Sequence, residues 1–456
     1  MTKAVESVTS QASKYCEPSA AEKQKLASIA SQVIGLVRNF RSPLVAGVVA
    51  GGSFAKGTWI RGDADLDIFV KIQPSVDKVE FEKLGKAIGL QSLRKFRTRL
   101  RYSEHPYVEA FVRNVRVNIV PCYNVEKGSW RSAADRSPFH TEYILSKMNK
   151  QMKKEARLLK KFLKSVGVYG AEIARGGISG YVTEILILKY GSFISTLQGI
   201  AEIAKERHVI SLDEVDKDIL KTFQSKIIIV DPIDHRRNLG TAISAESLAR
   251  FILAARAFLR RPSLEFFNRK RYRKPRSHQI NSNLLIIEFE HKYRSPDTIW
   301  GQLKKTLSSV SKQLELAHFK VIRATCITDE KGFACFVFLL QSVRLPSYME
   351  RIGPEVFRKK ESSDFITKNS KDSLLIWPNR EMRLMGLFKT RITNAADYLY
   401  FLLSERAGNV GITRGLREDL QNGTLKIYTG EKKGMIKGIV RDAVNDVIST
   451  ERFISQ

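Results

Sequence analysis

Gly52-Ser53-Phe54-Ala55-Lys56-Gly57-Thr58-Trp59 runs into Asp63-Ala64-Asp65-Leu66-Asp67-Ile68-Phe69-Val70, and this stretch decides the fold. Glycines let a backbone approach a phosphate chain closely, and the N–H groups of such a loop can cradle it. Ser53 adds a hydroxyl and Lys56 a charge. Asp65 and Asp67 stand at i and i+2 of an apolar run. On a strand they face one side, with Cα atoms roughly 7 Å apart. Leu66, Ile68 and Val70 then anchor the opposite face. Two carboxylates so placed can converge on a pair of Mg2+ ions roughly 4 Å apart, which neutralise a triphosphate and activate an attacking hydroxyl. An Asp-x-Asp pair alone reads more simply as the wet face of a surface strand. The Gly-Ser loop directly before it turns the reading toward phosphate chemistry.

Outward from this motif, the spacing predicts a helix from about Ser19 to Arg38. Ser19 and Glu22 have capping-box spacing, and Leu26, Ile29, Ala30, Val33, Ile34 and Val37 form one apolar stripe. Leu44–Ala50 reads as a short buried strand and Leu66–Ile72 as a second. Val108–Val112 and Val115–Val120 form a hairpin across Arg113-Asn114. Counting outward from that turn pairs Val112 with Val115 and sets Glu109 opposite Asn118, on one sheet face. Residues 1–141 therefore read as one mixed unit around a single sheet.

Residues 142–267 are mostly helical, marked by Leu158, Leu159, Phe162 and Leu163, by Val182–Leu188 and by Leu248–Leu259. A basic stretch follows, with Arg269, Lys270, Arg271, Arg273, Lys274 and Arg276. In the remaining region, 268–456, strands at Leu284–Phe289, Val321–Ile327 and Ala334–Leu340 and a helix at Trp300–Leu316 suggest a ferredoxin-like sheet with helices on one face. The whole is an α+β multidomain chain.

The net charge of +30, from 77 Lys and Arg against 47 Asp and Glu, suits a polyphosphate partner such as RNA; a basic but inert surface is the plainer alternative. No apolar run approaches the roughly 20 residues that cross a bilayer. The N-terminal segment, with Glu6 and Glu17, lacks a signal-peptide core, so a cytoplasmic protein without a membrane partner is expected. Cys16, Cys122, Cys326 and Cys335 form no CxxC pair or zinc spacing and read as buried free thiols.

Gly-Ser, a spacer over residues 54–64 and Asp-x-Asp in an apolar strand resemble the nucleotidyltransferase superfamily of DNA polymerase β. Further segments are similar to archaeal-type (class I) CCA-adding enzymes. They are residues 101–108 (Arg101 to Val108), Val120-Pro121-Cys122-Tyr123, residues 132–140 (Ser132 to His140), Gly177-Ile178-Ser179-Gly180-Tyr181 and residues 230–238 (Val230 to Asn238). A weaker likeness continues through Arg351-Ile352-Gly353-Pro354-Glu355 to Gly408-Asn409-Val410-Gly411, so that nearly the whole chain is covered.

The resemblance implies a polymerase β-like nucleotidyltransferase palm, a helical central domain and a C-terminal tRNA-binding body and tail. It implies template-independent addition of CCA to tRNA 3′ ends from CTP and ATP, with Mg2+ as cofactor. Asp65 and Asp67 would hold the metal; Gly52, Ser53 and Lys56 would meet the triphosphate; His140, Lys160 and Tyr169 match nucleotide-binding positions. Arg237 matches an arginine that reads the incoming base together with the tRNA backbone. Each of these four also has a plain structural reading, as a satisfied core histidine, a solvated lysine, a loop-packing tyrosine and a surface arginine. Family members often dimerise. Arg358, Lys359 and Lys360, and the tail around Lys432, Lys433 and Lys437, are candidate phosphate contacts.

The chain departs from the pattern at Lys56, where the family often has Arg and Lys keeps the charge but loses the planar fork, and at Asn118. The superfamily's third carboxylate falls on Asn118, an amide that binds Mg2+ weakly and cannot act as a base. The amide is an engineered change, or two carboxylates and waters suffice, or another carboxylate substitutes, with Glu109 the candidate from hairpin register. Two other functions stay open: a poly(A)-type RNA-terminal transferase, and a tRNA-binding form impaired in catalysis.

Overall fold

Helix α1 (Thr2–Cys16) comes first and was not announced by the sequence pattern; α2 (Ala20–Arg38) follows, opened by Ser19, whose side chain accepts from the Glu22 N–H at 3.1 Å. The computed structural model of the chain describes residues 2–102, 104–268, 272–273, 279–405, 408, 410–430 and 438–454. It divides into two units, Met1–Arg271 with Glu451–Gln456, and Tyr272–Thr450.

In the first unit, the elements β1 (Val45–Gly51), α3 (Gly52–Lys56), β2 (Asp65–Ile72), α4 (Lys78–Ser92), β3 (Thr98–Tyr102), β4 (Pro106–Val112) and β5 (Val115–Tyr123) build a five-stranded sheet in the order β1-β2-β5-β4-β3. Only β2 and β5 run parallel. This is the polymerase β-like palm that the resemblance implies. Leu66, Ile68, Val70, Val108, Ala110, Val117 and Ile119 point to one face and join Leu26, Ile29 and Val33 of α2 and Phe81 and Ile88 of α4 in one core. Alternation along each strand therefore sends Asp65, Asp67, Glu109 and Asn118 to the other face.

The hairpin has the expected register, with Val112 opposite Val115 and Glu109 opposite Asn118. Its turn places Arg113 at φ 49° and Asn114 at φ 65°, the twist that two-residue hairpins favour. Strand β1, in contrast, is not a buried strand. It is the sheet edge, paired only with β2, and of its seven residues only Val48 and Gly51 are buried.

The same unit continues through α5 (Arg136–Lys147), α6 (Lys150–Val166), α7 (Gly180–Tyr190), α8 (Phe193–Ala201), β6 (His208–Ile210), α9 (Lys217–Thr222), β7 (Ile227–Ile229) and α10 (Ala245–Arg260). The region is helical as expected, apart from the short parallel pair β6–β7. Its core centres on aromatic rings, with Phe258 5.8 Å from Phe162 and 5.6 Å from Phe193. Phe453 from the returning C-terminal segment joins it.

In the second unit, Leu284–Glu290, Val321–Thr328, Phe333–Leu340 and Lys426–Thr429 form an antiparallel sheet. Its spatial order is Val321–Thr328, Phe333–Leu340, Leu284–Glu290, Lys426–Thr429, which is the ferredoxin-like order. The expectation of helices on one face is corrected. Pro296–Leu316 and Ala395–Glu405 cover one face, and Gly438–Ile448 covers the other through Val440, Ala443, Val444 and Val447. The physical reason is that the two central strands are apolar on both sides. Leu285 and Ile287 face one way and Leu284 and Ile286 the other; Phe336 and Phe338 oppose Cys335 and Val337. A sheet so built must be covered twice.

A second, three-stranded sheet of Tyr348–Glu355, Arg383–Lys389 and Ser373–Pro378 carries the helix Lys359–Asn369, at whose start Arg358, Lys359 and Lys360 are exposed. Arg269, Lys270, Arg271, Lys274, Arg276, Asn409, Lys432, Lys433 and Lys437 lie outside the described residues. All four cysteines are buried and free. No helix among the described residues is long and apolar enough to cross a membrane.

Candidate active site

The short helix α3 leaves the end of β1 at Gly52 and lies against β2. Gly52 has φ +62°, and a Cβ there would run into the Asp67 carboxylate. Only glycine meets both conditions. Gly52→Ala should therefore destabilise the fold by at least about 1–2 kcal/mol from left-handed strain alone. Urea denaturation measures this, and an unchanged midpoint would show that the close approach is not required. Ser53 follows in the first turn of α3, partly buried, with its carbonyl accepting the Thr58 N–H at 3.0 Å.

The parallel register of β2 and β5 sets Asp65 beside Arg116 and Asp67 beside Asn118. Arg116 grips Asp65 with two nitrogens: Nε donates to Oδ1 at 2.8 Å and Nη2 to Oδ2. Asn118 Nδ2 donates to Asp67 Oδ1 at 2.9 Å. Burial raises the Asp67 pKa above its ordinary value; the Asn118 hydrogen bond opposes this and the Asp65 charge adds to it. Asn118 Oδ1 is buried, and no described group donates to it.

Glu109 shares this sheet face and is 3% exposed, but its Oε1 faces Arg101 Nε at 3.3 Å. Among the described residues no three His, Cys, Asp or Glu side chains gather closely enough to hold a metal ion. The donors at the Asp65–Asp67 pair are two carboxylates and one orphaned amide oxygen. An all-oxygen set of this kind fits a hard divalent cation.

Beside this pair lies a buried ionic cluster. Lys56, expected at the triphosphate, and Lys160, expected at the nucleotide, are 6% and 2% exposed and both commit their ammonium groups to Glu184, which is fully buried. Lys56 Nζ donates to Glu184 Oε2 at 2.6 Å and Lys160 Nζ to Oε1 at 2.7 Å. The Thr58 hydroxyl also donates to Glu184 Oε1 and accepts from Lys160 Nζ at 2.9 Å. Burial works to raise the Glu184 pKa, but the charges of Lys160 and Lys56 overcome it and hold the carboxyl at about 2. Burial likewise pulls the Lys160 pKa down, with Glu184 resisting.

Tyr169 stands next to Lys160: a Cβ built on Gly180 would meet the Tyr169 hydroxyl at 2.9 Å and Lys160 Nζ at 3.6 Å. Burial raises the Tyr169 pKa, so the phenol stays protonated.

A third group gathers on Asp231. His140 Nε2 lies 2.9 Å from Asp231 Oδ2, Arg237 Nη1 donates to the same oxygen at 3.3 Å, and the Tyr181 hydroxyl donates to Oδ1 at 3.2 Å. The His140 ring stacks on Tyr181 with centroids 3.9 Å apart. Burial lowers the His140 pKa even though Asp231 opposes it. For Asp231, burial pushes upward, and the His140 hydrogen bond and charge bring the net value below normal. Lys56 Nζ sits 5.4 Å from the Tyr181 ring centre and links this group to the Glu184 cluster.

The structure thus brings Lys56, Lys160 and Tyr169 together around Glu184, and His140 and Arg237 around Asp231. Sequence reasoning assigned no role to Glu184, Asp231, Arg116, Thr58 or Tyr181. A signal existed for Glu184, the one acid in the mostly apolar α7 and buried among Val182, Ile185, Leu186 and Ile187. Arg116 had one too, two residues before Asn118 on the same strand face.

The family described as a nucleotidyltransferase domain matches residues 33–148. That described as tRNA nucleotidyltransferase, second domain, matches 154–268, and that described as CCA-adding enzyme, C-terminal domain, matches 281–406. A CCA-adding enzyme of Pyrobaculum neutrophilum is 35% identical over 363 residues, covering 77% of this chain and 83% of that protein. One from Saccharolobus shibatae is 37% identical over 346 residues, 75% of this chain and 81% of that protein. One from Pyrobaculum islandicum is 31% identical over 399 residues, 87% of this chain and 93% of that protein.

Proposed function

Because the chain belongs to the CCA-adding enzyme family, we propose that it adds and repairs CCA at tRNA 3′ ends without a template, using CTP and ATP and releasing pyrophosphate. The observation that carries this reading is the Asp65–Asp67 pair on β2, with Gly52 of α3 held against Asp67. Asp65 and Asp67 are the residues that would hold a divalent cation, in our reading Mg2+. When bound, that cation offsets the triphosphate charge and makes the attacking hydroxyl more acidic.

The chain's own groups do the rest. Gly52 leaves room for close approach, and Ser53 offers a hydroxyl at the same turn. Lys56 and Lys160 bring positive charge beside the pair; with one carboxylate between them, the cluster keeps one charge in excess, which suits a polyphosphate. Tyr169 donates from a phenol that stays protonated. Neutral His140 and the Arg237 fork, both oriented by Asp231, face the base and the tRNA backbone in this reading.

We assign catalysis to residues 1–141, nucleotide and primer binding to 142–267, and tRNA binding to the basic 268–456 region. An acceptor arm is A-form, so shape and backbone contacts should dominate there. We place the protein in the cytoplasm and allow for a homodimer.

The test offers CTP and ATP, each labelled in turn, with trimmed tRNA transcripts. Addition of C, C and A, and then a stop, is the expected product. Extension from ATP alone would indicate a poly(A)-type transferase, and salt-sensitive binding without incorporation would indicate a form impaired in catalysis. Asn118→Asp run alongside should raise the rate if the amide limits it. Glu109→Gln tests the substitute carboxylate: activity that survives this change would remove Glu109 from the reaction.

A further inference from the structure

We propose that Arg116 is the resident counter-cation of the first carboxylate. It is a positioning residue that withholds Asp65 from free divalent cations and yields it to a cation arriving with the triphosphate. The inference rests on the triphosphate reading of the same site.

The register of the parallel strands sets Arg116 directly beside Asp65, and its fork satisfies both carboxylate oxygens. The next β5 residue on that face is Asn118, whose amide donates to Asp67 instead of adding a third negative charge. Two carboxylates and one guanidinium leave a single net negative charge at the pair. Glu109, the other carboxylate that register brings to this face, is turned to Arg101. A bare cation therefore meets a site in which one of the two carboxylate charges is already offset.

A triphosphate changes both sides of the exchange. It adds its own negative oxygens as ligands, and it offers the planar fork of the released guanidinium a phosphate partner. The Arg116 and Asp65 side chains are 45% and 37% exposed, so their pair is one that a competitor can open. Cation and nucleotide should consequently bind with positive, reciprocal coupling.

The test is a Mn2+ titration of the full chain by electron paramagnetic resonance, with and without a non-hydrolysable CTP analogue. Wild type should hold Mn2+ weakly alone and more tightly with the analogue. Arg116→Met should tighten Mn2+ binding without the analogue by about fivefold and shrink the gain that the analogue brings. Arg116→Gln serves as a second variant, and matched melting curves establish that each is folded. Equal Mn2+ affinity of both variants and wild type, with the analogue still bound, would overturn the role of Arg116 alone. Failure of wild type to bind the analogue would overturn this inference and the triphosphate reading together.

Discussion

Glu184→Ala should lose about 3–5 kcal/mol of folding stability, because it leaves two buried ammonium groups without their partner. Lys56 comes from α3, Lys160 from α6 and Glu184 from α7, so one carboxylate ties the strand–helix motif to two helices of the following region. Lys56 and Lys160 are only 6% and 2% exposed, so bulk solvent cannot replace the lost carboxylate. Glu184→Gln keeps the shape and should lose less. Denaturant unfolding of both variants measures the difference, and a loss under about 1 kcal/mol for Glu184→Ala would mean that the lysines find other partners.

The same cluster fixes a pH dependence. The folded pKa of Glu184, about 2, lies below the ordinary 4.5. The unfolded chain thus binds the proton more readily, and the stabilisation is present above about 4.5 and lost as pH falls toward 2. The loss across that window is on the order of 3 kcal/mol. Glu184→Gln should flatten this part of the stability profile.

Asp67→Asn should separate activity from stability. Incorporation into tRNA should fall by about a thousandfold, the scale expected when a ligand of the charge-neutralising cation is removed. Stability should hold or rise. Burial already raises the Asp67 pKa, so the charged form is the costly one in the folded state, and Asn118 supplies an amide partner for the new side chain. Parallel melting and incorporation measurements decide it. Activity within tenfold of wild type would take Asp67 out of the reaction; a large fall in melting temperature would show a structural role instead.

Much of the palm was legible because its signals are local. Alternation from Asp65 to Ile72 gave a strand with one wet face, and the Arg113-Asn114 turn set the register that places Glu109 opposite Asn118. Periodicity located α2, α6, α7 and α10. It missed α1, whose polar stretch carries few apolar positions, and it mistook β1 for a buried strand because apolar content does not say whether a strand lies at an edge. In the second unit, doubly apolar strands left the covering of the second face to Gly438–Ile448, a helix far from both central strands in sequence.

By itself the sequence determined the chemistry on offer at β2 and the turn before it, a glycine turn and two carboxylates on one face; the amide on β5 stands out only against the family resemblance. The turn and the carboxylates follow from residue identity and a period of two, which need no partner strand. Only the tertiary structure decided who holds these groups. Arg116 reaches Asp65 through strand pairing across 51 positions, Lys56 meets Glu184 across 128, and His140 meets Asp231 across 91. Such pairings arise from packing of distant segments, and charge type alone gives no direction to a side chain. The physical reason is burial: once these charges leave water each must find a partner, and the fold, not the local sequence, determines which one is within reach.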